Sequence, residues 1–342
     1  MHLYNLDFLR VAFALIIVAG HIIYFLPFYG FKAPFSYHEF GALCDGFFIL
    51  SGLFMKHSIE KADDFYSYIK PKIIRLWPVL AFSVLCAYIV SKFKIIAFCK
   101  YDNLLTLTFI NRAFAEFCTG NGCAWYVAVL FWCYALFFCV YKISGKEKFI
   151  YVTALISFAA YSVLFKQTNI YNMVPYGGMF TFFMVRGIAG VSGGLLLSCI
   201  KRPLHDSEIN IIHLKYVFIG LIELTVLYSL FRFCFTKQIN FPVFCVFLYA
   251  LIYLFIKQQG LVSKFLSKKL WYHLGKYSYS IYMMQEIMWP LLNKFLWQNA
   301  SFGMNNHPLA VFWISNLIII IVGISTYYLI EKPAYRFDKD RR

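Results

Sequence analysis

Residues 8–26 read FLRVAFALIIVAGHIIYFL, an apolar run interrupted by only two basic side chains, Arg10 and His21. Wound as a helix at about 1.5 Å per residue, a run of this length crosses the roughly 30 Å hydrocarbon core of a bilayer. There it pairs all of its backbone polar groups internally, as lipid requires. Arg10 stands at the entrance and no small-residue cleavage site follows Leu26, so the segment reads as a retained span rather than a removable signal.

The same pattern recurs to Ile330. The 342 residues are 61% hydrophobic, 21% aromatic and only 14% charged, against about 25% charged in an average soluble domain. A soluble enzyme is excluded. The pattern predicts an all-α polytopic membrane protein of about ten transmembrane helices, near 8–27, 41–57, 73–92, 124–142, 149–165, 181–200, 213–233, 239–257, 271–296 and 309–331. They form one transmembrane domain over 1–342, with no appended soluble domain expected.

The chain carries 32 Lys+Arg against 16 Asp+Glu, a balance that in a soluble protein would point to nucleic acid. Here the cations sit in short clusters between apolar runs, such as Lys56–Arg75 and Lys257–Lys276. With the N-terminus inside, the inward loops hold more than twice the Lys and Arg of the outward ones, so the positive-inside rule puts both termini in the cytoplasm. The partners implied are a lipid bilayer and no nucleic acid. Most of the ten cysteines lie inside apolar runs and pack as small hydrophobes. No zinc spacing appears. Cys99, Cys118 and Cys123 share one polar stretch that leaves room for a single disulfide.

Ionisable residues inside spans are costly and therefore functional candidates. Arg10 and His21 are eleven positions apart, which returns to the same helix face about 16 Å further along. Arg10 would face the cytoplasmic mouth with a planar fork suited to phosphate, and His21 would lie deeper, where a histidine can serve as general base. Asp45 enters from the outside at a comparable depth, so it either pairs with His21 or caps the start of its helix. Ser51 and Gly52 mark a place for close approach of a helix or an acyl chain. Lys72 and Arg75, three apart, share one face at the cytoplasmic surface and form a phosphate clamp. Arg186 and Glu223 either pair with each other or line the lumen, and Trp125-Tyr126 opens a span from the outside.

Together these stretches resemble membrane acyltransferase family 3, the integral-membrane O-acyltransferases of bacterial surface polysaccharides. The resemblance rests on Asp7-Phe8-Leu9-Arg10 with His21, Asp45-Gly46-Phe47-Phe48-Ile49-Leu50-Ser51-Gly52, Ile73-Ile74-Arg75-Leu76-Trp77-Pro78, Leu274-Gly275-Lys276-Tyr277-Ser278-Tyr279-Ser280-Ile281-Tyr282 and the closing Ile330-Glu331-Lys332-Pro333. Three departures stand out. Lys72 occupies the place of the first Arg in the family's Arg-x-x-Arg, Gln285 follows Tyr282 where a histidine is common, and Val127–Leu130 lacks the acidic residue many members carry.

The resemblance implies transfer of an acyl group, most often acetyl, from cytoplasmic acyl-CoA to a sugar hydroxyl on a lipid-linked or exported glycan such as lipopolysaccharide or capsule. It places the chain in the bacterial inner membrane, with acyl-CoA as co-substrate and no metal. His21 and Asp45 would be catalytic, and Arg10, Lys72 and Arg75 would hold the CoA phosphates. Ser51, Tyr126, Arg186 and Glu223 would line the lumen. His21 would either deprotonate the sugar hydroxyl or take the acyl group itself. The competing expectations are a non-enzymatic transporter or glycan flippase, which intramembrane charges also suit, and a glycan polymerase.

Overall fold

The computed structural model describes residues 2–26, 40–111, 113–114, 120–166, 181–200, 212–234, 240–297 and 307–339, and among them every long element is a helix. In chain order these are α1 (Tyr4–Phe25), α2 (Cys44–Glu60), α3 (Phe65–Lys92), α4 (Lys100–Leu107), α5 (Ala124–Leu164), α6 (Phe182–Leu197) and α7 (Ile212–Cys234). They continue as α8 (Phe241–Lys257), α9 (Leu261–Phe265), α10 (Lys269–Gly275), α11 (Ser278–Leu292), α12 (Pro308–Thr326) and α13 (Lys332–Lys339). Among the described residues, α1, α2, α3, α5, α7 and α12 with their short extensions are long and apolar enough to cross a membrane. Helices α6 and α8 are apolar but shorter. The chain is an all-α polytopic membrane protein.

Two expected boundaries shift for physical reasons. The spans near 124–142 and 149–165 form one helical element, α5, that turns at Gly145, where φ is +72° and a side chain would be strained. The long semi-polar span near 271–296 is divided instead. Its first part is α10, none of whose residues is buried, followed by α11, which buries Ser280–Gln285, and by a π turn over Asn293–Trp297.

Lipid tails are as apolar as leucine, so helices in a bilayer associate through close packing rather than through the hydrophobic effect. Helices α2 and α6 show how. Gly52 lies against the Val191 carbonyl and Gly194 against the Ile49 carbonyl, and a Cβ at either position would overlap the opposite backbone. On α1, Leu6, Leu9, Phe13 and Ile17 are buried at helical spacing, while Arg10 and His21 are half-buried on a neighbouring face. The start of α1 is tied to the end of α8: Asn5 Nδ2 donates to the Phe255 carbonyl at 2.7 Å, and Gln258 Nε2 donates to Asn5 Oδ1 at 3.3 Å.

Helix α3 begins with a cap at its N-terminal end. Asp64 Oδ1 accepts from the Ser67 backbone N–H at 2.7 Å, and Ser67 Oγ accepts from the Asp64 backbone N–H at 3.2 Å. Those bonds hold the Asp64 carboxyl below the usual carboxylate range. The cap fixes where α3 starts, and so aims Lys72 and Arg75, two turns and more along it, toward α1 and α2.

Candidate functional site

Helices α1, α2, α3, α5, α11 and α13 enclose a cavity of about 360 Å³. Arg10 enters it from α1, Ser51 from α2, Lys72 and Arg75 from α3, Tyr126 from α5 and Tyr282 from α11. Three cations from two helices thus share one cavity, although in sequence Arg10 is far from the other two. Arg10 is held on its edge by Asp7, whose Oδ1 accepts from Nη1 at 2.9 Å, and on its face by Phe54, with the guanidinium carbon 4.9 Å from the ring centroid. Lys72 Nζ donates to Ser58 Oγ at 3.1 Å and lies 5.2 Å and 5.4 Å from the Tyr68 and Tyr134 ring centroids. Arg75 keeps its exposure by projecting into the cavity. Two planar guanidinium forks and an ammonium suit a ligand with several phosphates.

Much of the remaining wall is aromatic. Tyr126 stands 5.7 Å from Tyr282 and 6.0 Å from Phe47 between ring centroids, and Phe47 meets Phe13, three positions above Arg10 on α1, edge-on at 5.9 Å. Tyr134, Tyr279 and Tyr335 add three further phenols to the wall. Tyr134, Tyr279 and Tyr335 are not among the candidates read from the sequence, yet a signal exists for two of them: Tyr126, Leu130 and Tyr134 follow one another at intervals of four, and Tyr279 and Tyr282 form an i, i+3 pair. Tyr335 carried no such pattern. It reaches the cavity from α13 through the π turn Tyr327–Glu331, whose Glu331 Oε2 accepts from Ser280 Oγ at 2.6 Å.

His21 lies on α1 beyond the residues lining this cavity. Its Nδ1 is 3.0 Å from the Ile17 carbonyl oxygen. A carbonyl only accepts, so Nδ1 carries a proton, and in the neutral ring Nε2 carries the lone pair. That tautomer can take a proton at Nε2.

Asp45 is not placed as a partner of His21. Its carboxylate is bound by Arg186, with Nη2 to Oδ2 at 2.6 Å and Nε to Oδ1 at 3.2 Å, and Arg186 Nη2 also donates to the Gly41 carbonyl at 3.1 Å. Arg186 therefore does not pair with Glu223. Glu223 Oε2 accepts from the Ser263 backbone N–H at 3.0 Å, against Gly260, so this acid caps the start of α9 and neither Arg186 nor Glu223 lines the cavity. An intramembrane carboxylate needs a donor, and each acid has found a nearer one than expected.

Gln285 is buried one turn beyond Tyr282 and donates from Nε2 to Cys123 Sγ at 3.2 Å. Of the three cysteines in the polar stretch, Cys123 is a free thiol, and Cys118 lies outside the described residues. No group of three or more His, Cys, Asp or Glu suited to a metal occurs among the described residues.

A family model described as an acyltransferase domain matches residues 3–330. Neither the comparison with curated proteins nor that with solved structures found a match.

Proposed function

Because the chain belongs to membrane acyltransferase family 3, and so is an integral-membrane acyltransferase, we propose that it moves an acetyl group from acetyl-CoA on the cytoplasmic side to a sugar hydroxyl of a lipid-linked or exported surface glycan. The observation that carries this reading is the convergence of Arg10, Lys72 and Arg75 in one cavity. A CoA-type donor presents its phosphates to these cations at the mouth. Its pantetheine arm runs along the tyrosine wall, whose hydroxyls can hydrogen-bond the two amides, and on past Phe47, Tyr126 and Tyr282 toward the level of His21. Arg10 and His21 are about 16 Å apart along α1, a separation that such an arm bridges.

At that level His21 Nε2 takes the proton of the sugar hydroxyl as its oxygen attacks the thioester carbon. The carbon–sulfur bond breaks, and the departing thiolate takes the proton from Nε2 to leave as CoA thiol. Proton transfer of this kind contributes typically 10²–10⁴-fold. Asp45 acts in this scheme through Arg186, holding α2 against α6, rather than through His21.

The acceptor is tested by the mass of the surface glycan from bacterial cells with and without the protein, expressed in the inner membrane. A gain of one acetyl mass per repeat that requires His21 supports the reading. A glycan of unchanged mass whose amount at the surface rises or falls would instead identify a transporter or flippase.

A further inference from the structure

Arg10 does not stand alone at the cavity. Its guanidinium carries five N–H donors in a planar fork, and one of them, on Nη1, is committed to Asp7 Oδ1 at 2.9 Å. The second carboxylate oxygen, Oδ2, lies 2.5 Å from His2 Nε2. His2 is in turn packed between the rings of Tyr4 and Tyr272, at 5.0 Å and 5.1 Å between centroids. From the other side α10 closes in, because a Cβ at Gly275 would stand 3.3 Å from Asp7 Cβ. The Asp7 side chain is thus buried, only 6% exposed, and fixed by the residues before α1, by α1 itself and by α10.

We infer that Asp7 is the positioning residue of the donor clamp, setting the Arg10 guanidinium in the plane in which its remaining donors meet a phosphate. The inference rests on the reading of the cavity as an acyl-CoA site. A long arginine side chain loses rotamer entropy when fixed. A carboxylate at one edge and Phe54 on one face impose that loss before the ligand arrives, which is how preorganisation raises affinity. The simpler role for an acid at this position is to favour the first turn of α1 through the helix dipole. That role would need neither the bond to Arg10 nor the burial, and it would not distinguish between donors.

The test is a double-mutant cycle on the full chain in membranes, using two donors, acetyl-CoA and S-acetyl-pantetheine, the second having the thioester but no phosphate. Asp7→Ala and Arg10→Gln should each raise KM for acetyl-CoA about tenfold with a smaller change in kcat, and the double variant should be no worse than either alone. Asp7→Glu, which keeps the carboxylate, should recover part of the loss. In each of these variants the loss with acetyl-pantetheine should be smaller than the loss with acetyl-CoA. Should Asp7→Ala fail to accumulate, Asp7→Asn closes the same cycle. Additive effects of the two substitutions, or equal losses with both donors, would overturn the inference and leave Asp7 a stabiliser of α1. If Arg10→Gln leaves KM for acetyl-CoA unchanged, the donor reading of the cavity fails and the inference falls with it.

Discussion

Arg186 and Asp45 form a two-pronged ion pair between α6 and α2, with the arginine side chain wholly buried and the aspartate 5% exposed. The Trp125 ring of α5 lies 5.4 Å from the guanidinium carbon, so the pair joins three helices at one point. The two residues pair with each other, where the sequence left open Asp45 with His21 and Arg186 with Glu223. Lipid favours this arrangement because a single buried charge there has no other compensation.

Breaking this pair from one side should be severe. Asp45→Ala or Arg186→Met alone is expected to destabilise the fold by about 3–5 kcal/mol, since each leaves an uncompensated buried charge. The double variant Asp45→Leu with Arg186→Met should recover much of that stability. Thermal unfolding in detergent checks the energies, and acetylation per folded molecule checks the role. A double variant that is folded but inactive would return Asp45 to the catalytic machinery.

How far the sequence discloses such arrangements depends on the range of the interaction. The helical class and the approximate spans are local properties, written in the apolar runs, and so is the common face of Lys72 and Arg75. The meeting of Arg10 with that pair was anticipated from sidedness alone. The partners of Asp45, Arg186 and Glu223 were not legible, because each depends on how helices distant in sequence are packed. Gly52 and Gly194 bring α2 and α6 into backbone contact, and it is that closeness, not a motif, that delivers Arg186 to Asp45. Glu223 finds its donor at Ser263 because α9 begins beside α7.

For His21 the expected result is loss of chemistry without loss of protein. His21→Ala should lower acetyl transfer by about 10²–10⁴-fold. His21→Asn is the more pointed variant, because its amide can still donate to the Ile17 carbonyl yet offers no basic nitrogen. It should accumulate normally and remain inactive in a glycan acetylation assay. Activity restored by Asn would show that the Nδ1 bond, not proton transfer, is what the position supplies.

Orientation can be examined without any assay of function. With native cysteines removed, a cysteine placed at position 61, at the end of α2, should be protected from an impermeant maleimide in intact cells and labelled once the membrane is opened. The basis is the concentration of Lys and Arg from Lys56 to Arg75, across the end of α2 and the start of α3. Labelling from outside would invert the protein and place the three-cation mouth away from cytoplasmic acyl-CoA.

The donor clamp makes the most demanding prediction, because its three cations are held differently. Arg75 extends into open cavity, so Arg75→Ala should raise KM for acetyl-CoA with a smaller change in kcat, the mark of lost uniform binding. Arg75→Lys should be intermediate, keeping the charge while losing the fork. Lys72 is the constrained member, its ammonium bound to Ser58 and lying near Tyr68 and Tyr134. Lys72→Arg can keep the aromatic contacts, since a guanidinium stacks on rings, and it adds a second donor pair toward the ligand. This variant is therefore expected to bind acetyl-CoA as tightly as the parent or more tightly in calorimetry, whereas Lys72→Met should weaken it. Affinity unchanged across all four variants would mean that the cations serve only to orient the protein in the membrane, and that the donor enters elsewhere.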